Sequence, residues 1–306
     1  MTIHIVPTDF QTVQAAIDAA NAGDSIQILA GTFDGFNVTK ERLKIFGCGI
    51  GKTIIAGLPA MGSNDGIVVS AEQTILQDFT VQGFDGDGVV LRSNNNVITK
   101  IESKFNPQSG FQMSYNNNLI SNCLSSFNRE GFDFEDTHNC IIHCESNQNI
   151  GDGIEVDENF NKMLLNTVTE SKSAGIDLCG VSFNIVFGNK SIKNNEQGVF
   201  IQNDNIGDNS NNNNVIGNLV CNNIGSGIEV ESNNIQNVID SNIVRNNGTD
   251  DTTAGILIQD GAMENVIRFN KAKNNMIVDI LAEGGVGTNI YDGNKCENSD
   301  PNALCT

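Results

Sequence analysis

Five carboxylates keep step along this chain. Asp133, Glu155 and Asp177 follow one another at intervals of 22 residues, and Glu135 and Asp157 repeat that interval two positions further on. If one interval is one turn of a stacked structure, the members of a column lie about 4.8 Å apart, and residues two apart on one strand about 7 Å. Like charges directly opposite are destabilising. Such a column makes one carboxyl hold its proton, or it recruits a cation. A protonated carboxyl beside an ionised one can donate to a leaving glycosidic oxygen while its neighbour activates water or attacks the sugar. That route needs no cofactor. Alternatively Asp133, Glu155, Asp157 and Asp177 are candidate Ca²⁺ ligands. The ion would neutralise a uronate carboxylate while a basic group removes the proton at C5. Arg92, Arg129 and Lys172 are the candidate bases. The plain alternative is a solvated acidic face on a protein that is acidic throughout. Concentration on three consecutive repeats favours function.

The elements that position these residues are legible as a repeat. A Gly followed by an apolar–x–apolar strand recurs at Gly66, Gly88, Gly110, Gly131, Gly153, Gly175, Gly198, Gly227 and Gly255, with a tenth copy opening on Asp279. The first and third residues after Gly face a core, so the second and fourth are expected to face solvent. The second position reads Val68, Val90, Gln112, Asp133, Glu155, Asp177, Phe200, Glu229 and Leu257. Asp136, Asp152 and Glu158 flank the acidic patch. Gln112, Arg92, Phe200 and Glu229 are its expected substrate-binding neighbours, with Phe200 offering a ring on which a sugar can stack.

A second marker keeps the same step at Asn96, Asn118, Asn139, Asn161, Asn184, Asn214, Asn237, Asn265 and Asn289. Asn tolerates the left-handed turn conformation, and stacked amides bond from coil to coil as a ladder. A unit of about 22 residues is too short for a strand–helix crossover. Three strands of four to five residues per coil, stacked in parallel, remain. Before the repeat, residues 10–22 place Val13, Ala16, Ile17 and Ala20 on one helical face, as a cap for the first coil's open edge. One domain over 1–306 is expected: cap and first coils to residue 60, regular coils over 61–293, and a C-terminal cap over 294–306. Spacings of 29 and 28 locate insertions at 204–213 and 247–253.

The net charge of −20 disfavours nucleic acid and anionic membranes. No run of 18 apolar residues suggests a span. The opening MTIHIVPTDF lacks signal-peptide features, so a cytoplasmic place or export by another route is expected. A homo-oligomer stays open. Among eight cysteines, Cys296 and Cys305 are candidates to close a small loop, and Cys123 and Cys144 are expected to stack in the core. Phe105 and Phe127, one coil apart, are expected there too. His138 and His143 are candidate helpers on the acidic coils.

The opening FQTVQAAIDAANAGDSIQILAGTF resembles the start of pectate-lyase-like β-helix proteins. The coils from Gly66 to about Asn294 are similar to carbohydrate-binding and sugar-hydrolase β-helix repeats. The resemblance implies an all-β, right-handed parallel β-helix with a short N-terminal capping helix. That superfamily includes lyases, hydrolases, epimerases, esterases and tailspikes, so the fold alone does not name a reaction. Locally, GFDFED resembles the Tyr-Gly-Phe-Asp-Pro-His-Glu segment of mannuronan epimerases, which implies a catalytic role for Asp133. Glu130, Phe134 and Glu135 stand where that family has Tyr, Pro and His, so epimerase chemistry itself is not expected. The expected function is cleavage of glycosidic bonds in a polysaccharide or oligosaccharide. The alternatives are a non-catalytic structural or binding β-helix, of spore-surface or virion type, and a calcium-dependent polyuronate lyase.

Overall fold

A computed structural model describes residues 2–57, 65–204 and 207–305. The expected boundary between residues 60 and 61, and residues 205 and 206 of the first insertion, lie outside the described residues. The described chain is an all-β parallel β-solenoid whose α-helix is Val13–Ala19. It forms two compact units, the first ending at Asn149 and the second beginning at Ile150. No described helix is long and apolar enough to cross a membrane.

The helix is shorter than the periodicity suggested. Thr12 caps it by accepting the Ala15 N–H at 3.1 Å, and the chain turns extended at Ala20. Val13, Ala16 and Ile17 are buried as expected.

One coil of the first unit shows the plan. Its strands are Phe111–Met113, Leu119–Ser121 and Leu124–Ser126, three residues each rather than four to five. Left-handed residues at Asn122 and Phe127 directly follow the second and third (φ 53° and 56°), and Asn117 (φ 58°) lies in the turn after the first. In the first unit the Gly-anchored strands pair in parallel, Phe36 with Ile67, Ile67 with Val89, Val89 with Phe111 and Phe111 with Phe132. In the second, Ile154 pairs with Ile176, then Val199, Ile228, Ile256 and Ile280 follow in the same register. The repeating Gly answers a close approach. A Cβ on Gly110 would lie 2.0 Å from Ser125 Oγ, and one on Gly175 2.0 Å from Ser191 Oγ.

The Asn columns are interior ladders. The backbone N–H and the side-chain amide of Asn96 both donate to Asn118 Oδ1, at 2.9 and 3.0 Å. The left-handed conformation belongs to the residue before, such as Asn95 or Asn117, not to the ladder Asn. In the second unit the ladder runs Asn161, Asn184, Asn213, Asn237, Asn265 and Asn289. Asn213, not Asn214, is the member at the first insertion, because Asn214 itself opens the following strand in register with Ile185. A second ladder there runs from Asn166 to Asn294. A third, unread in the sequence, joins Asn106, Asn128 and Asn149 in the first unit and Asn194, Asn223, Asn247 and Asn275 in the second.

Phe105 and Phe127 correct the expectation of a core stack. Their rings do stack, 5.0 Å apart, but on an exposed left-handed corner, 56% and 44% accessible. Cys123 and Cys144 are buried as expected. Cys296 and Cys305 form a disulfide, their Cα atoms 5.8 Å apart.

Candidate active site on the outward strands

Side chains at the second position leave the core, yet they do not all reach water. Asp133, Asp177 and Glu229 are buried, which corrects the expectation of a solvated row. Longer polar side chains from neighbouring coils cover them.

In the first unit Asp133 pairs in register with Gln112. Ser109 Oγ donates to Asp133 Oδ2 at 3.2 Å. Gln112 Nε2 reaches Glu135 Oε1 at 2.9 Å, and Ser114 Oγ donates to the other Glu135 oxygen at 2.9 Å. Two of the three basic candidates carry partners: Arg129 Nε bonds the Glu130 carboxylate at 2.6 and 2.7 Å, and Arg92 holds Asp65 at 3.0 Å, while Lys172 stands exposed. Asp87 was not singled out from the sequence. Burial first, and then the nearby Asp65 charge, push its carboxyl up to about 6, against the lowering effect of the Ser109 N–H. The signal was present, since Asp65 and Asp87 stand directly before Gly66 and Gly88, one interval apart.

In the second unit Glu155 and Asp177 are in register on adjacent strands, and Phe200 follows beside Asp177. Asp177 is 5% exposed. One of its oxygens accepts a short hydrogen bond from Gln202 Nε2, and the other, Oδ1, has no hydrogen-bond partner among the described residues. Burial, and next the Asp152 charge, push this carboxyl well above the usual range. Such a group is poised to hold a proton.

Two residues on along each strand stand Asp157, exposed, and Cys179, half-buried. With Glu158, Asn159, Gly180, Asp204 and Asp208 they line a cavity of about 520 Å³. Burial, followed by the charges of Asp177 and Asp157, pushes the Cys179 thiol up to about 12. It stays protonated, so it is no nucleophile.

Glu229 differs from Asp177. Gln197 Nε2 and Gln259 Nε2 donate to its two oxygens at 3.0 and 2.8 Å. Phe200 is half-buried in register with both Asp177 and Glu229. His138 and His143 sit on exposed left-handed corners (φ 60° and 54°), off the strand face.

Residues 65–207 match the family described as the right handed beta helix region. The chain is a right-handed parallel β-helix. Among solved β-helices, the A-module of the Azotobacter vinelandii mannuronan C-5 epimerase AlgE6 superposes with a TM-score of 0.77 at 16% identity, over 94% of this chain and 90% of that one. The Dettilon tailspike protein superposes at 0.64 and 17%, over 88% and 66%. Pectate lyase Pel9A gives 0.54 and 13%, over 99% and 79%. At these identities the likeness is one of fold. No curated protein matches the chain.

Proposed function

We propose that this β-helix is a carbohydrate-active enzyme that cleaves glycosidic bonds in a polysaccharide or oligosaccharide. Asp177 would be the general acid, and Glu155 and Asp157 the groups that activate water or attack the sugar. Asp133 and Glu135, in the first unit, are the further candidates that keep the same 22-residue step in the sequence. The observation that carries the reading is the Asp177 carboxyl, almost fully buried, with one oxygen unpartnered and Glu155 in register beside it. Its proton passes to the leaving oxygen, and a second carboxylate completes the displacement. The fold is one that mannuronan epimerases and a pectate lyase also use, which makes a glycan the fitting partner.

A calcium-dependent polyuronate lyase is the second reading. The oxygen donors of Asp157, Glu158, Asp204 and Asp208 around one cavity favour it, since Ca²⁺ prefers six to eight hard oxygen ligands.

The test is a glycan screen with Asp177→Asn and Glu155→Gln. Each should keep or raise the urea midpoint, because a carboxyl among carboxyls is replaced by an amide. Each should also cut turnover by about a hundredfold or more, as expected for loss of acid–base catalysis. Full activity in both variants would show that catalysis sits elsewhere on the fold. A wild type that neither cleaves nor binds any glycan would favour a structural β-helix.

A further inference from the structure

In the second unit the Gly-anchored strands Ile154–Val156, Ile228–Val230 and Ile256–Ile258 are three residues long. Ile176–Cys179 and Val199–Gln202 run to four, and the added residues pair Cys179 with Gln202. The first insertion, where the step from Gly198 to Gly227 is 29 residues, holds this extension in place. Its Ser210 is fully buried. Ser210 Oγ lies 2.9 Å from the Leu178 carbonyl and 2.7 Å from the Gln202 carbonyl, sharing its hydrogen between them, and accepts the Val181 N–H at 2.9 Å. The Gly180 N–H donates to the same Gln202 carbonyl at 2.9 Å. An inserted loop usually lies free on the surface. This one clamps the strand end from which the Gln202 amide donates to Asp177.

Glu229 has the equivalent neighbours, with one difference. Gln259 stands to Glu229 as Gln202 stands to Asp177, at the fourth position after the next Gly. Each of these amides donates to one oxygen of its carboxyl. The other oxygen of Glu229 accepts from Gln197, which directly precedes Gly198. The same place for Asp177, directly before Gly153, carries Asp152, whose Oδ1 accepts the Ala174 N–H at 2.7 Å. A carboxylate at that place brings no N–H, and Asp177 Oδ1 has no hydrogen-bond partner among the described residues. A protonated carboxyl donates through one oxygen and accepts through the other. With Oδ2 accepting from Gln202, the hydrogen belongs on Oδ1, the oxygen that the fold leaves unused. Without Gln202 either oxygen could carry it, because the last torsion of Asp is broad and two-fold.

We infer that Gln202, clamped by Ser210 of the insertion, is a positioning residue that fixes Asp177 with Oδ1 presented to the leaving glycosidic oxygen. This rests on the catalytic reading above and adds to it the group that orients the acid. In the step, the Oδ1 proton passes to the leaving oxygen, which keeps the electron pair of the broken C–O bond, and water or a second carboxylate takes the sugar carbon. Gln202→Met removes the donor at a half-buried position and keeps the length of the side chain. Steady-state kinetics of the full chain test it, on the oligosaccharide that wild type cleaves in the glycan screen and on the nitrophenyl glycoside of the same sugar. A sugar oxygen needs the proton in order to leave, whereas nitrophenolate leaves without it. On the oligosaccharide kcat should fall about tenfold with KM unchanged, the scale of a misplaced catalytic group. On the nitrophenyl glycoside kcat should barely change. A rise in KM at unchanged kcat would make Gln202 a binding contact, and an equal fall on both substrates would make it a structural one. No change on either substrate, with Asp177→Asn inactive, would show that the acid needs no such partner. Each of these three results overturns the inference and leaves the catalytic reading standing. Full activity of Asp177→Asn, or no cleavage of any glycan by wild type, overturns both.

Discussion

Asp177 and Glu229 occupy the same outward position two coils apart, and their environments separate them. Glu229 has an amide donor on each oxygen, which fixes the orientation of the group. Asp177 has one, and burial decides the balance toward the protonated form. Asp87 follows the same logic more mildly, its carboxyl pushed up to about 6 from 3.8. The sign for stability follows from proton counts. Between about pH 4 and 6 the folded chain binds more protons at Asp87 than the unfolded chain, so this contribution is present in acid and is lost as pH rises through 6. Asp177 acts in the same direction up to a higher pH. The urea midpoint should therefore fall between pH 4 and 7 more steeply in wild type than in Asp87→Asn. An identical slope in the two proteins would show that Asp87 titrates normally.

At the scale of the element, the coil corners are held by buried amides rather than by turn residues alone. Asn218 accepts the Asn189 backbone N–H at 2.8 Å and its side-chain amide at 3.1 Å, and donates to the Val186 carbonyl at 2.9 Å. Replacing it with Ala leaves the buried Asn189 backbone N–H without this acceptor and removes the bond to Val186, while the Asn189 amide keeps the Met163 carbonyl; each buried group so stripped costs about 1–3 kcal/mol. Asn218→Ala should cost about 3 kcal/mol or more in urea unfolding. Asn195→Ala, at an exposed position, should stay within about 0.5 kcal/mol. Equal costs would mean that the ladder stabilises the coils no more than surface Asn does. The Gly marker was legible because close approach tolerates nothing larger. The third ladder escaped notice because its spacing to the next Gly varies: Asn106 precedes Gly110 by four residues, Asn128 precedes Gly131 by three, and Asn247 precedes Gly255 by eight.

For the whole molecule, a net charge of −20 makes any added cation stabilising to some degree. A specific calcium site must therefore be distinguished from screening. With ionic strength matched by sodium chloride, calcium should leave the Tm where sodium leaves it, and EDTA should leave both Tm and activity unchanged. A calcium-specific rise that grows with concentration as mass action requires would favour the polyuronate lyase instead.

The repeat interval, the Gly-anchored strands and the first of the amide ladders were readable in the residues, because a solenoid converts sequence period directly into spatial neighbours. The 22-residue step of Asp133, Glu155 and Asp177 is legible in the same way, and the register of Glu155 with Asp177 within the second unit follows it. Burial on the outward face was not. The donor to Asp177 comes from Gln202, 25 residues away, and the cover of Glu229 comes from Gln197 and Gln259, 32 and 30 residues away. Alternation says which face a side chain leaves from; what then lies over it depends on side chains of other coils. The same limit applied to the phenylalanines. Phe105 and Phe127 carry apolar rings at the coil period, which reads as core, but a left-handed φ at each corner turns the side chain outward. Only the folded backbone decided that these rings face water.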